Sequence, residues 1–308
     1  MLRIENLTKT YDRLTAVDSL NLELEAGDIM GFIGPNGAGK TTTIKIAATL
    51  LMPDSGTVFI DGIDAILYPE KVRPLLGYMP DFFGLYEDVK VWEYLDFFAA
   101  AYRIPTSKRK ALIDDVLELT DLTIKRESFV SELSRGMQQR LCLAKTLVHD
   151  PKLLLLDEPA SGLDPRARIE IKELLKELRK MGKTILISSH ILPELADFCN
   201  KIAIIEQGKL VVSGDVETIM NQCRGGTLLR IGLVDRHDEA AKFLESLDAV
   251  CDARLEDGQV TAKYVGMPGE EFAILTALVN SGFKVNSFTE AELDLEDVFM
   301  KVTRGAVA

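Results

Sequence analysis

The chain has 308 residues and a net charge of −12, from 48 acidic and 36 basic side chains. That length exceeds a single core, so two domains are expected, and an acidic balance heaviest over residues 225–308 argues against a nucleic-acid surface, which needs a basic stripe. No apolar run approaches the roughly 18 residues of a membrane span, Met1–Glu5 lacks a signal peptide's apolar core, and Cys142, Cys199, Cys223 and Cys251 lack C-x-x-C spacing; a cytosolic chain with reduced thiols is expected.

Residues 2–33 alternate as an antiparallel layer does, with Leu2, Ile4 and Leu7, then Leu20, Leu22 and Leu24. Tyr11 falls in the turn between. It reads either as an aromatic platform for a purine or as a half-buried turn tyrosine, and by position alone the second is commoner. Ile29-Met30-Gly31-Phe32-Ile33 is a buried strand leading into Gly34-Pro35-Asn36-Gly37-Ala38-Gly39-Lys40-Thr41-Thr42. This loop fits G-x-x-x-x-G-K-[ST]. Its glycines let backbone N–H groups curl around phosphates, Lys40 reaches the terminal phosphates, and Thr41 ligates Mg²⁺. A helix predicted from Thr42 to Leu51 adds its dipole behind the anion. A chance glycine-rich turn would not carry a strand before it and a helix after it.

Pro53-Asp54-Ser55-Gly56 is a turn, residues 57–60 a strand, and Leu75–Pro80 a strand ending at Asp81. The apolar loop Phe82–Tyr86 is either a docking site for a partner helix or the lid of a local core, the commoner case. Helices are predicted over 89–101 and 107–119. Leu133-Ser134-Arg135-Gly136 opens another helix, to about His149, with Ser134 as N-cap and a second anion-receptive end. The buried strand Lys152–Leu156 then places Asp157 and Glu158 at its tip, where ligands bind in parallel sheets. Two adjacent acids suggest divided labour, Asp157 toward Mg²⁺ and Glu158 toward an attacking water; the bland alternative is a solvated turn before Pro159. After the turn Ser161–Pro165 come a helix at 166–181 and a strand at 184–189. His190 stands at that strand's tip, where a hydrogen bond to a γ-phosphate outweighs a structural role. A helix at 191–199, a strand at 201–206 and a hairpin through Gln207-Gly208-Lys209 follow.

These elements, in this order, resemble the nucleotide-binding subunit of an ATP-binding cassette (ABC) transporter over residues 1–220. Tyr11 matches the adenine-stacking loop, which reverses its positional reading. Residues 34–42 match Walker A; Ser134 and Gly136 match the family signature; Asp157 and Glu158 match Walker B and its catalytic glutamate. Ser161–Asp164 match the D-loop and His190 the switch histidine. The resemblance implies a P-loop α/β core with an antiparallel β-layer and a helical subdomain inserted at about 82–150. It also implies ATP and Mg²⁺, with Thr41, Asp81 and Asp157 toward the metal. Two copies are expected to sandwich two ATP molecules, with Ser134, Gly136 and Asp164 among the nucleotide contacts and the signature helix of one completing the site of the other. A separate transmembrane permease, reached near Asp81 and the Phe82–Tyr86 loop, would hold the subunit on the cytoplasmic face and most often serve export. Two departures stand out: Arg135 and Met137 replace a glycine and a glutamine in the signature, and Asp81 stands where glutamine is usual, able to accept but not donate.

Beyond a plausible Gly225-Gly226 linker, strand 227–233, helix 238–247, strands 249–255 and 259–266, helix 269–281 and strand 283–289 give β-α-β-β-α-β, a small ferredoxin-like α+β domain over 227–308. Leu293–Met300 is similar to the tail of exporter-type subunits, where the extra domain assists dimerisation or regulation. A soluble ABC protein acting on ribosomes or DNA is the alternative. Its usual marks, two cassettes in one chain or a long coiled-coil insert, are missing from the sequence. A scaffold that binds ATP without turnover fits poorly with both Glu158 and His190.

Overall fold

The computed structural model describes residues 1–82, 84–191, 195, 198–216, 218–219, 227–256, 258–267 and 269–291. Phe83, Cys223, the Gly225-Gly226 linker, the stretch 293–300 and most of the helix predicted at 191–199 lie outside them. The chain divides into two compact units, Met1–Val216 and Glu217–Ala308.

In the first unit β1 (Leu2–Tyr11) and β2 (Leu14–Leu24) form an antiparallel hairpin. The apolar residues that alternate in sequence are cross-strand partners: Leu2 opposite Leu24, Ile4 opposite Leu22 and Leu7 opposite Leu20. All six are buried, each worth roughly 2 kcal/mol of transfer free energy. Tyr11 is not in the turn as expected. It is the last residue of β1, paired with Leu14, and Asp12, with φ at +49°, turns the chain instead.

β3 (Ile29–Ile33) leads to α1 (Lys40–Ala47), which starts two residues earlier than the apolar pattern suggests and stops short of Leu51. β4 (Ser55–Ile60) and the two-residue β5 (Ile63–Asp64) complete a sheet of order β2-β1-β4-β5, so β3, expected as part of this layer, belongs elsewhere. After the short α2 (Pro69–Val72) comes β6 (Leu76–Met79), then α3 (Val91–Ala101), α4 (Thr106–Leu119) and α5 (Arg135–Leu147). These last three helices pack on one another, with Leu95, Ala99, Ile113 and Leu117 buried. Tyr94 is also fully buried, 5.0 Å from Phe98 in an edge contact, while Tyr86 packs on Tyr94 and Phe97. Tyr86 therefore does cap a local core, but Phe82 is 90% exposed and caps nothing.

β7 (Leu153–Asp157), α6 (Pro165–Lys180), β8 (Thr184–Ser189), β9 (Lys201–Glu206) and β10 (Lys209–Asp215) finish the unit. The second sheet has the order β10-β9-β3-β8-β7-β6, parallel except for β10. β3, β7 and β8 are buried at every position, which is why they read as unbroken apolar runs rather than alternation. Their C-terminal tips are brought to one edge by the parallel register, Asp157 directly opposite Ser188 and Ile33 opposite Ser189.

The second unit runs β11 (Thr227–Leu233), α7 (His237–Glu245), β12 (Val250–Glu256), β13 (Gln259–Tyr264), α8 (Phe272–Asn280) and β14 (Val285–Ala291). The sheet order β12-β13-β11-β14, all antiparallel, is that of a split β-α-β, ferredoxin-like fold. Leu229, Ile231, Val260 and Ala262 from the sheet meet Ala240, Leu244, Ile274 and Leu278 from the helices.

Candidate functional site

The loop from Gly34 to Gly39 carries the chain from β3 into α1, and its shape is set by close backbone approach. A Cβ on Gly34 would lie 2.2 Å from the Ile205 carbonyl oxygen; one on Gly39, whose φ is +106°, would lie 2.3 Å from that of Ala16. Neither position admits a side chain. Gly39 is the N-cap of α1 and contributes no side-chain hydrogen bond, so the helix's first N–H groups remain available to an anion. Thr43 Oγ1 donates to Gly39 O at 2.9 Å and braces the first turn.

Lys40 is buried, and its ammonium donates to Gly34 O (2.6 Å) and Pro35 O (3.2 Å). Burial pulls its pKa below the ordinary lysine value, while Glu158 and Asp157 pull back toward the charged form. Glu158 Oε1 lies 3.6 Å from Lys40 Nζ, and Glu158 Oε2 accepts from His190 Nδ1 at 2.9 Å in the tautomer that carries the proton there. The carboxylate thus spans the phosphate-loop lysine and the histidine at the tip of β8. Glu158 itself sits in the left-handed region at φ +50°, an arrangement costing a side-chain-bearing residue roughly 1 kcal/mol. Asp157 is only 1% exposed and its Oδ1 accepts from Ser188 Oγ at 2.7 Å.

One cleft of about 410 Å³ gathers most of the predicted site. Its lining includes Tyr11, Asn36 through Thr42, Asp81, Glu158, Ser161 and His190, with Leu14 and Ala16 added by the structure, while Gly34, Pro35 and Asp157 are not part of it. Tyr11 is 44% exposed, with Lys9 Nζ 5.8 Å from its ring centre, so one ring is on offer to a ligand at the cleft mouth. Ser134, Gly136 and Asp164 are elsewhere. They border a separate depression of about 210 Å³ at the N-termini of α5 and α6. Ser134 Oγ accepts from Met137 N at 3.4 Å, Asp164 Oδ1 accepts from Ala167 N at 2.9 Å, and the Arg135 guanidinium lies over Gly162. Within one copy, no described residue of the signature borders the phosphate cleft.

Two residues escaped the sequence reading. Ser188 is buried beneath the tips of β7 and β8, and Gln139 on α5 donates from Nε2 to Pro159 O, tying that helix to the chain just beyond Glu158. Both roles arise from three-dimensional register, and neither residue belongs to a short motif.

A glycine-rich strand–loop–helix on a parallel sheet, with an acidic pair and a histidine at neighbouring strand tips, defines a P-loop ATPase. The ABC transporter family model matches residues 17–161. A Nod factor export ATP-binding protein I from Burkholderia pseudomallei (strain 1710b) is 33% identical over 302 residues, covering 97% of this chain and 95% of the relative. Among solved structures, an ATP-binding subunit of an ABC transporter is 30% identical, with a TM-score of 0.65 over 72% of this chain and 92% of that one. A dimeric ATP-binding cassette in a post-hydrolysis state, bound to ADP and Pi, is 26% identical, with a TM-score of 0.64 over 70% of this chain and 99% of that one. The chain belongs to the ABC transporter family, as one of its ATP-binding, ATP-hydrolysing subunits. Among the described residues, no helix is long and apolar enough to cross a membrane.

Proposed function

We propose that two copies of this subunit close on two ATP molecules with Mg²⁺ and drive a separately encoded membrane permease in the direction of export. The observation that carries the reading is Glu158 Oε1, a buried carboxylate oxygen with no hydrogen-bond partner, beside Lys40 at the phosphate cleft. An acceptor held there suits a water that attacks a γ-phosphate, and His190 on the other oxygen fixes the carboxylate's rotation and offers a hydrogen bond to the same phosphate. Tyr11 would stack on the base. Gly34, Pro35, Asn36, Gly37, Ala38, Gly39, Lys40, Thr41 and Thr42 would wrap the phosphates.

The oxygen donors Thr41 and Asp157, with Asp81 at the cleft wall, fit Mg²⁺, a hard cation commonly bound by one or two carboxylates plus phosphate oxygens. When bound it neutralises charge on the phosphates. Ser134, Gly136 and Asp164 border a different depression, which suits contacts made to the nucleotide of the other copy, and a relative has been solved as a dimer bound to ADP and Pi. Export rests on relatives named for Nod factor export that align over nearly the whole chain, second unit included. Cargo choice in such an arrangement belongs to the permease, so that particular cargo is not carried over. Residues 1–220 would be the motor and 227–308 an accessory domain for dimerisation or regulation. Among the described residues of its loop, Phe82 is the most exposed aromatic and would meet the permease, which would hold the subunit on the cytoplasmic face.

The test is a full-length tagged Glu158→Gln chain recovered from native cells with ATP present. The expected result is retained nucleotide binding, turnover lowered by about 10²- to 10³-fold, and recovery in the membrane fraction with a multi-span protein. Recovery with ribosomes or DNA would overturn the transporter reading, and undiminished turnover would overturn the role given to Glu158.

A further inference from the structure

We propose that Ser188 is a positioning residue for ATP hydrolysis: its single hydroxyl locks the peptide between Asp157 and Glu158 and thereby aims the Glu158 carboxylate. The inference rests on the reading of Glu158 given above and deepens it. Ser188 is fully buried at the tip of β8, directly opposite Asp157 in the parallel register with β7. Its Oγ donates to Asp157 Oδ1 at 2.7 Å and accepts from the Glu158 backbone N–H at 3.0 Å. One proton and one lone pair of the same oxygen therefore hold two consecutive residues of the neighbouring strand. A hydroxyl can do both; a methyl or an isopropyl group can do neither.

The need for such a lock follows from the local backbone. At Glu158 the chain leaves β7 by turning into the left-handed region, φ +50°, so the Glu158 N–H takes Ser188 Oγ as its partner. The hydroxyl satisfies a donor that would otherwise be orphaned in the interior, and it does so only with the peptide plane in this orientation. That plane fixes the direction in which the Glu158 side chain departs. Downstream, Glu158 Oε2 is 2.9 Å from His190 Nδ1 and Oε1 is 3.6 Å from Lys40 Nζ. Both spacings depend on the Cα–Cβ direction that Ser188 sets. On its other side, Ser188 holds one oxygen of Asp157 in a fixed rotamer, so the carboxylate proposed for the metal and the carboxylate proposed for the water are tied to one atom. Ser188 does not line the cleft; it acts through its neighbours.

The experiment compares full-length Ser188→Ala, Ser188→Thr and Ser188→Cys with the parent, in steady-state ATPase assays and ATP-binding titrations. Ser188→Ala should lower kcat about 10- to 100-fold with KM and ATP affinity within about threefold, the size seen when the partner that orients a catalytic ligand is removed. Ser188→Thr keeps the hydroxyl and should recover most of kcat. Ser188→Cys keeps the volume with a weak donor and should stay low, which separates lost hydrogen bonding from lost packing should Ser188→Ala fold poorly. Made in a Glu158→Gln background, Ser188→Ala should lower single-turnover hydrolysis by a clearly smaller factor than in the parent, because its route through Glu158 is already cut and only the hold on Asp157 is left to lose. A kcat for Ser188→Ala within twofold of the parent overturns the proposal. So does equal impairment of the Ala and Thr variants, or a full further loss in the Glu158→Gln background. If Glu158→Gln alone keeps parental turnover, the reading of Glu158 fails first and is seen to fail separately.

Discussion

At Gly39 two independent constraints meet on one atom. Its φ of +106° lies where L side chains are strained, and the space a Cβ would fill already holds the Ala16 carbonyl oxygen, 2.3 Å away. Backbone cannot move aside as a flexible side chain can, so Gly39→Ala must shift either the phosphate loop or β2 at Ala16. We expect ATP affinity to fall by at least about 30-fold and stability by about 2 kcal/mol, read by isothermal titration and by urea unfolding. Wild-type affinity in this variant would mean that the loop rebuilds itself on binding. Lys40 shows the opposite economy. Burial lowers its pKa, Glu158 and Asp157 oppose that, and hydrogen bonds to Gly34 O and Pro35 O hold its Nζ in the loop.

Elements, by contrast, are joined by contacts whose strength changes with pH. His149, just beyond α5, stacks face to face on Tyr102 at 3.7 Å, and its Nε2 hydrogen-bonds Leu76 O of β6 at 2.6 Å. Burial is the largest influence on it and pulls its pKa below 6.5, against the opposing pull of the Leu76 carbonyl and Asp150; Lys183 adds to the lowering. Below pH 6.5 the unfolded chain therefore takes up a proton that the folded chain resists, so stability is full above that value and falls as pH drops through it. His149→Phe keeps the stacked ring but not the titration. It should flatten the loss of stability between about pH 6.5 and pH 5, while lowering stability at pH 7.5 by about 1 kcal/mol through the lost hydrogen bond, as read by urea unfolding at each pH. An unchanged acid slope would place the sensitivity elsewhere.

What could be read from the sequence also sorts by element. Strands 184–189 and 201–206 were legible to the residue, because a buried run bounded by turn chemistry has few alternatives. That residues 36–42 line one cleft was legible because adjacency in sequence puts Gly39, Lys40 and Thr41 at one place in space. The start of α1 at Lys40 was missed by two residues, since a glycine N-cap leaves no polar side chain to mark it. Tyr11 was misplaced into the turn because nothing local distinguishes the last strand residue from the first turn residue. Ser188 was invisible for a deeper reason. Its partners lie 30 and 31 positions earlier on another strand, and only the register of β7 against β8 brings them together.

At the scale of the whole molecule, the six-stranded sheet is assembled out of chain order. β3, made near the start of the chain, pairs with β8 and β9, so Ile29 finds Ile185 and Gly31 finds Ile202. Helices α3, α4 and α5 and the strands β6 and β7 are all made in between. Chains arrested on the ribosome before residue 184 has emerged should leave Ile29–Ile33 open to protease, and chains carrying β8 and β9 should protect it. Early protection would show that β3 folds without its neighbours. At roughly 5–20 residues per second, the interval between β3 and β8 is on the order of 10–30 s. The strand that launches the phosphate loop is thus born early and finished late, a greasy orphan whose sheet partners are the last of its neighbours to be made.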